Sequence, residues 1–313
     1  MSLVIGAGGI YAKVVADSVS DTSPRLTTFE VKYPRFIHSE LMTHRVFSRN
    51  AASSRAIPVG KMADQLTATP IFWGSNQSGM QAGKELSNEA LKKAKDIWER
   101  ARLNARMAAD ELHALGLHKQ HTNRLTEPFC MIKVLITATE FNNFFWLRDH
   151  EAAQPEIKEL ARVMYEAREL SGPFYLEAGE WHLPYVERHW EATGEPEYYI
   201  FAGEGIIQKL TLEEALKVSA ARCAAVSFRN VDYTLEKSLE VYERLLGADR
   251  KHASAFEHQA TPADNEFGEI YTKHGTDFQK GVTHHTTNGQ AWSGNLKGWV
   301  QHRQLIPGHY KKG

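Results

Sequence analysis

From Leu26 to Tyr33 the chain alternates, with Phe29, Val31 and Tyr33 on one face and Thr28, Glu30 and Lys32 on the other. This spacing predicts a strand with one buried face, stopped by Pro34. Between Ser87 and Leu115, Leu91, Ala94, Ile97, Trp98, Ala101, Ala105, Ala108 and Leu112 recur at helical spacing. An amphipathic helix is predicted there, with Ser87 as its cap and Gly116 as its stop. A further helical region is predicted from Ile132 to Leu170, on the strength of Phe141, Phe144, Phe145, Leu147, Ile157, Leu160 and Met164, with Pro155 separating two helices. Residues 171–208 are aromatic and irregular, the composition of a lid or partner surface. A capping box, Thr211 to Glu214, opens the next helix, and another runs from Thr234 to Leu246, ending at Gly247. The opening Val4-Ile5-Gly6-Ala7-Gly8-Gly9-Ile10-Tyr11 is glycine-rich, but Tyr11 stands where a dinucleotide-binding loop needs its third glycine. A tight turn or a flexible start is the expectation.

Composition narrows the field. The 313 residues suffice for one elaborate domain or two small ones, and the formal net charge of −1 gives no global basic field for nucleic acid. Any phosphate site must be local. Cys130 and Cys223 sit among apolar or small residues, which predicts buried inert thiols and no disulfide framework. No apolar run spans a bilayer and no cleavable signal is evident, so a cytoplasmic location is expected. The histidines, including His284-His285, lack metal-ligand spacing, and no metal is expected.

The candidate chemistry lies in Thr43-His44-Arg45-Val46-Phe47-Ser48-Arg49-Asn50-Ala51-Ala52-Ser53-Ser54-Arg55, where guanidinium and hydroxyl groups capable of binding an anion follow a strand. Composition alone would equally fit a solvated polar turn. The order His-Arg-x-x-Ser-x-Asn-x-x-Ser-x-Arg resembles the signature of flavin-dependent thymidylate synthases, the ThyX family, with Thr43 where an Arg normally opens it. Two further stretches extend the resemblance: Asn123-Arg124-Leu125-Thr126-Glu127-Pro128, and Asn142-Asn143-Phe144-Phe145-Trp146-Leu147-Arg148 with Ala153-Gln154-Pro155-Glu156-Ile157. Two others, Ala224-Ala225-Val226-Ser227-Phe228 and His252-Ala253-Ser254-Ala255-Phe256-Glu257-His258, resemble segments that in the family precede the Arg-rich motif. Here they follow it, so the chain resembles a circular permutant, a rearrangement that near termini allow.

The resemblance implies an α+β, ThyX-like fold in circularly permuted order, with long helices packed on an antiparallel or mixed sheet. It implies a core over 1–170, an insertion or lid over 171–210, a permuted flavin-binding segment of the same domain over 211–262, and a C-terminal extension over 263–313. The implied reaction is reductive methylation of dUMP to dTMP, with FAD bound and with NADPH and methylenetetrahydrofolate as co-substrates, in a homotetramer whose sites are shared between subunits. Arg148 matches the catalytic arginine and binds substrate as well. Glu40, Ser53, Ser54, Arg55 and Arg124 fall on the substrate side; Thr43, His44, Arg45, Asn50, Asn143, Ser227, His252 and Ser254 fall on the flavin side. Five departures bear on specificity: Thr43 for Arg, Ala51 for Glu, Glu40 for Gln, and Thr137 and Thr139 for an Asn and an Arg near the flavin's adenine half. A carboxylate at Glu40 would favour the amino edge of a cytosine, making dCMP an alternative substrate, or would pair locally with His44 and Arg45. Hydroxymethylation, and a nucleotide-binding homologue without catalysis, also stay open. The tail segment Gly294–Arg303 could pack beside the site or serve a subunit interface.

Overall fold

The computed structural model describes residues 2–190, 196–202, 206–226, 234–264 and 279–311. In chain order its strands and helices are β1 (Leu3–Ile5), β2 (Tyr11–Ser20), β3 (Ser23–Pro34), α1 (His38–Met42), β4 (Ser48–Ala51), α2 (Val59–Ala63), α3 (Asn88–Ala114), α4 (Lys119–Thr122), β5 (Met131–Ala138), α5 (Asn142–Arg148) and α6 (Pro155–Glu169). There follow β6 (Phe174–Tyr175), β7 (Glu187–Trp190), β8 (Pro196–Ala202), β9 (Ile206–Leu210), α7 (Leu212–Ala225) and α8 (Leu235–Leu246). The last are β10 (Ala260–Pro262), β11 (His284–His285), β12 (Ala291–Ser293), β13 (Leu296–Lys297), β14 (Trp299–Gln301) and α9 (His302–Leu305).

The main sheet runs β1-β2-β3-β5-β4, antiparallel throughout, with β6 added parallel to β2. It is an α+β architecture on a mixed sheet, as expected. The glycine-rich opening turns β1 back into β2 through Gly8 and Gly9, whose φ of 63° and 72° suit residues without Cβ. It leads to a strand and not to a helix, so the tight-turn reading holds. The strand predicted over Leu26–Tyr33 lies within β3. The predicted helical region is corrected at its start, because residues 131–138 form β5, paired on both edges by β3 and β4. Buried on both faces, the run Met-Ile-Lys-Val-Leu-Ile-Thr-Ala loses the alternation that marks a strand. Pro155 does divide two helices and occupies the first turn of α6, where its missing N–H costs nothing.

One face of the sheet carries Phe29, Val31, Tyr33, Ile132, Val134 and Ile136, packed on Phe144, Ile157, Leu160 and Met164 of α5 and α6. The opposite face was expected to meet solvent, yet Thr28 and Glu30 are buried too. Helix α7 covers it, packing Cys223 and Ala224 against Val15 and Leu135. A buried polar chain satisfies the hydroxyls there: Ser18 Oγ to His182 Nδ1 at 2.8 Å, His182 Nε2 to Thr28 Oγ1 at 2.8 Å, Thr28 to Thr137 at 2.6 Å, and Thr137 to His258 Nδ1 at 2.8 Å. Tyr11 and Tyr185 donate to Glu30, which also pairs with Lys133.

Residues 171–208 are less irregular than their composition suggests. They contribute β7 and β8, which form a sheet with β9 in the order β7-β8-β9; it packs Ile200 and Leu210 onto Ala215 and Val218 of α7. The Thr211 capping box and the helix from Thr234 form as predicted. Helix α3 covers the predicted span, although Ser87 makes no side-chain cap bond and only Ala109 is fully buried. Trp98 anchors it by donating to the Ala68 carbonyl at 3.2 Å and meeting Phe36, Trp73 and Phe129 edge-on. In the tail, Trp299 is a core residue that donates to the Pro24 carbonyl at 2.7 Å, so it is not available to a subunit interface. No described helix is long and apolar enough to cross a membrane.

Burial pushes His182 and His258 from an ordinary 6.5 down to about 3. Between these values the unfolded chain binds protons that the folded chain does not, so their stability contribution is complete above pH 6.5 and falls as pH drops toward 3. Urea unfolding measured from pH 7 to pH 4 should therefore show falling stability, at up to about 1.4 kcal/mol per pH unit for each histidine. His258→Gln should flatten the slope by about one proton's worth. An unchanged slope would contradict the neutral buried state.

Candidate active site

The Arg-rich motif turns between α1 and β4, and one group within it and two from the tail hold the turn. Arg49 NH1 lies 3.4, 3.1 and 3.3 Å from the carbonyls of Leu41, Met42 and His44, capping the end of α1 with positive charge. Asn295 Nδ2 donates to the Val46 carbonyl at 2.8 Å, and Gln301 Nε2 donates to Ser48 Oγ at 3.3 Å. The tail thus packs against the motif, one of the two places expected of it.

Arg148, in the last turn of α5, docks on this turn. Its Nε donates to His44 Nε2 at 3.0 Å, its NH2 to Thr43 Oγ1 at 3.2 Å, and its NH1 pairs with Glu40 Oε2 at 3.4 Å. Burial, then the nearby Arg148 and Arg49 charges, push His44 down to about 4. The imidazole is therefore neutral near pH 7 and accepts at Nε2. Phe47 stacks on its ring and Phe144 meets it edge-on at 4.9 Å. Glu40 does form a local ion pair, but with Arg148 and not with His44 or Arg45. Thr43 supplies an acceptor where a second guanidinium would repel Arg148.

A second cluster gathers around Glu127, which sequence reasoning passed over. Its carboxylate accepts from Ser54 Oγ at 2.6 Å and from Arg124 NH1 at 2.9 and 3.2 Å, and pairs with Arg35 NH2 at 3.1 Å. Asn123 Nδ2 donates to the carbonyls of Ser54 and Ile57 at 2.7 and 2.9 Å, clamping the turn that carries Ser53 and Arg55. The only sequence signal for Asn123 and Glu127 was their place beside Arg124.

A third feature is a cavity of about 450 Å³ lined by Asn50 from β4, Val241, Arg244 and Leu245 from α8, and His252 and Ser254 from the 3₁₀ turn before His258. Three sequence-predicted flavin-side residues meet here from distant parts of the chain. Asn50 also donates to the Cys223 carbonyl at 3.2 Å, tying β4 to α7. Arg45, Arg55 and Asn143 are exposed, and Ser227 lies outside the described residues. Thr137 is engaged in the buried chain and Thr139 accepts from the Lys297 N–H at 3.2 Å, so neither hydroxyl faces this cavity. Both cysteines are buried, and burial raises the Cys223 thiol far above its ordinary range. Neither suits a thiolate nucleophile.

Residues 26–171 match the family described as "Thymidylate synthase complementing protein", Thy1. The match covers somewhat less than half of the chain. It contains the motif turn, the Glu127 cluster and Arg148; the cavity residues contributed by α8, His252 and Ser254 lie beyond it. A solved structure, "UMP/dUMP methylase PolB from Streptomyces cacaoi bound with 5-Br UMP", is similar to 50% of this chain and 87% of its own, at 19% identity and a TM-score of 0.42. No curated protein sequence matches the chain.

Asn123→Ala removes both clamps on the Ser53–Ile57 turn. Chemical denaturation should show a loss of about 1–3 kcal/mol, the scale for leaving buried polar groups unsatisfied. A variant as stable as wild type would show that the turn holds without them.

Proposed function

We propose that the protein is a flavin-dependent thymidylate synthase that methylates dUMP at C5, with methylenetetrahydrofolate as carbon donor and NADPH as reductant. The observation that carries the reading is Arg148 docked on Glu40, Thr43 and His44, which joins the family's proposed catalytic arginine to its Arg-rich motif. A guanidinium oriented by three acceptors is suited to stabilise negative charge developing on a pyrimidine ring. The Glu40 carboxylate is already engaged by Arg148, which favours the local ion pair over a cytosine-reading role.

The Asn50 cavity supports a flavin. Its apolar floor of Ala224, Val241, Leu245 and Ala255, with Arg244, Asn50, His252 and Ser254 as polar groups, matches the chemistry of a flat ring bearing polar edges. Asn50, His252 and Ser254 would hold FAD, which supplies the redox step of the reaction. Ser53, Arg55 and Arg124 would hold the nucleotide phosphate. The convergence of motif residue Asn50 with His252 and Ser254 supports circular permutation of the family order. Apolar residues around Arg148, namely Met42, Val46, Leu147 and Trp146, the last 76% exposed, support a homotetramer with shared sites.

The decisive assay supplies dUMP, methylenetetrahydrofolate and NADPH to the purified protein and identifies the product by mass. A mass corresponding to dTMP is expected, and none should form with Arg148→Ala, or with Arg148→Lys, whose point charge lacks the planar fork. The loss should be about 100-fold or more. Near-normal rates in either variant would remove Arg148 from the chemistry. Arg55→Ala and Arg124→Ala should each weaken dUMP binding by about 1.5–3 kcal/mol and leave deoxyuridine, which lacks the phosphate, nearly unaffected. Calorimetry showing equal losses for both ligands would exclude the phosphate role.

A further inference from the structure

The Glu127 cluster treats its two arginines differently. Arg35 is fixed: its side chain is 14% exposed, it pairs with Glu127 at 3.1 Å, and it donates to the Ala52 carbonyl at 3.2 Å. Arg124 is 52% exposed, and its hydrogen bonds go to the two carboxylate oxygens of Glu127. Ser54, whose hydroxyl also donates to Glu127, stands between the phosphate-side residues Ser53 and Arg55. A carboxylate thus occupies the Arg124 donors that a phosphate would use. Both are planar or tetrahedral arrays of anionic oxygen, and the same guanidinium fork serves either.

Resting on the assignment of Arg124 to the phosphate, we propose that Glu127 is a built-in competitor for the nucleotide phosphate. It parks Arg124 when the site is empty and releases it when phosphate arrives. Arg35 makes the exchange possible. A half-buried carboxylate stripped of all its cations would be costly, so Glu127 can give up Arg124 only because Arg35 and the Ser54 hydroxyl stay with it. Glu127 therefore lowers affinity for the phosphate group specifically, and Arg35 sets how firmly Arg124 is held. The opposite arrangement, in which Glu127 preorganises Arg124 for the ligand, predicts the opposite sign for Glu127→Gln and Arg35→Ala.

The test is calorimetric binding of dUMP, inorganic phosphate and deoxyuridine to the full chain and its variants, with no turnover required. Glu127→Gln keeps the shape and removes the charge; it should tighten dUMP and phosphate by about two- to fivefold, the scale of a solvent-exposed ion pair, and leave deoxyuridine unchanged. Arg35→Ala should weaken dUMP by a similar factor, because Glu127 then keeps Arg124, and adding Glu127→Gln to it should restore binding. Arg35→Ala is informative even if Glu127→Gln does not fold. Unchanged or weaker dUMP binding in Glu127→Gln, or unchanged binding in Arg35→Ala, would overturn the proposal. Arg124→Ala separates the two levels of the argument: if it leaves dUMP affinity intact, the phosphate assignment itself is wrong and the competitor falls with it. If it weakens dUMP while Glu127→Gln does not tighten it, only the competitor is wrong.

Discussion

A buried hydroxyl must find a partner, and the hydroxyls of Thr28 and Thr137, opposite one another in the middle of the main sheet, impose that requirement on the whole chain. The partners are His182 and His258, which belong to segments far downstream. Leaving either threonine unpaired would cost about 1–3 kcal/mol, a large share of a marginal stability. The segments after residue 171 are thereby part of the sheet's own hydrogen bonding. Their attachment brings α7 over Leu135, α8 beside Asn50, and the 252–258 turn against β4. The cavity at Asn50 follows from that docking.

The motif turn between α1 and β4 is the element shared by everything else. Arg49 closes it from inside, Asn295 and Gln301 hold it from the tail, Arg148 lies on its first residues, and Asn123 clamps the turn beyond β4. Its charges are balanced locally: Glu40 answers Arg148, and Glu127 answers Arg35 and Arg124. His44 contributes by being neutral, since a charged imidazole could not accept from a guanidinium.

Much of this could be read before any coordinates. Local signals sufficed for β3, α3, the break at Pro155 and the Thr211 capping box, because alternation, helical spacing and capping act within a few residues. β5 was misread as helix because a strand covered on both faces shows no alternation. The hairpin strands of 171–208 were hidden in an aromatic, polar composition. At the site, motif order singled out Glu40, Thr43, His44, Arg148, Asn50, His252 and Ser254, and the structure brings the first four together and the last three together. Arg35 and Glu127 were illegible, because each looks like an ordinary surface charge until the Ser54 turn is folded against them. The buried roles of Thr137 and Thr139 were equally hidden, since both depend on pairings across the chain.

The central claim is that the Arg-rich motif and the downstream 252–258 segment enclose one flavin site. The most direct measurement is the visible absorption spectrum of the purified protein after equilibration with FAD and gel filtration, compared with folded Asn50→Ala and His252→Ala variants. Wild type should retain the oxidised flavin band, and each variant should lose most of it. A colourless wild type, or equal flavin retention in both variants, would contradict the account.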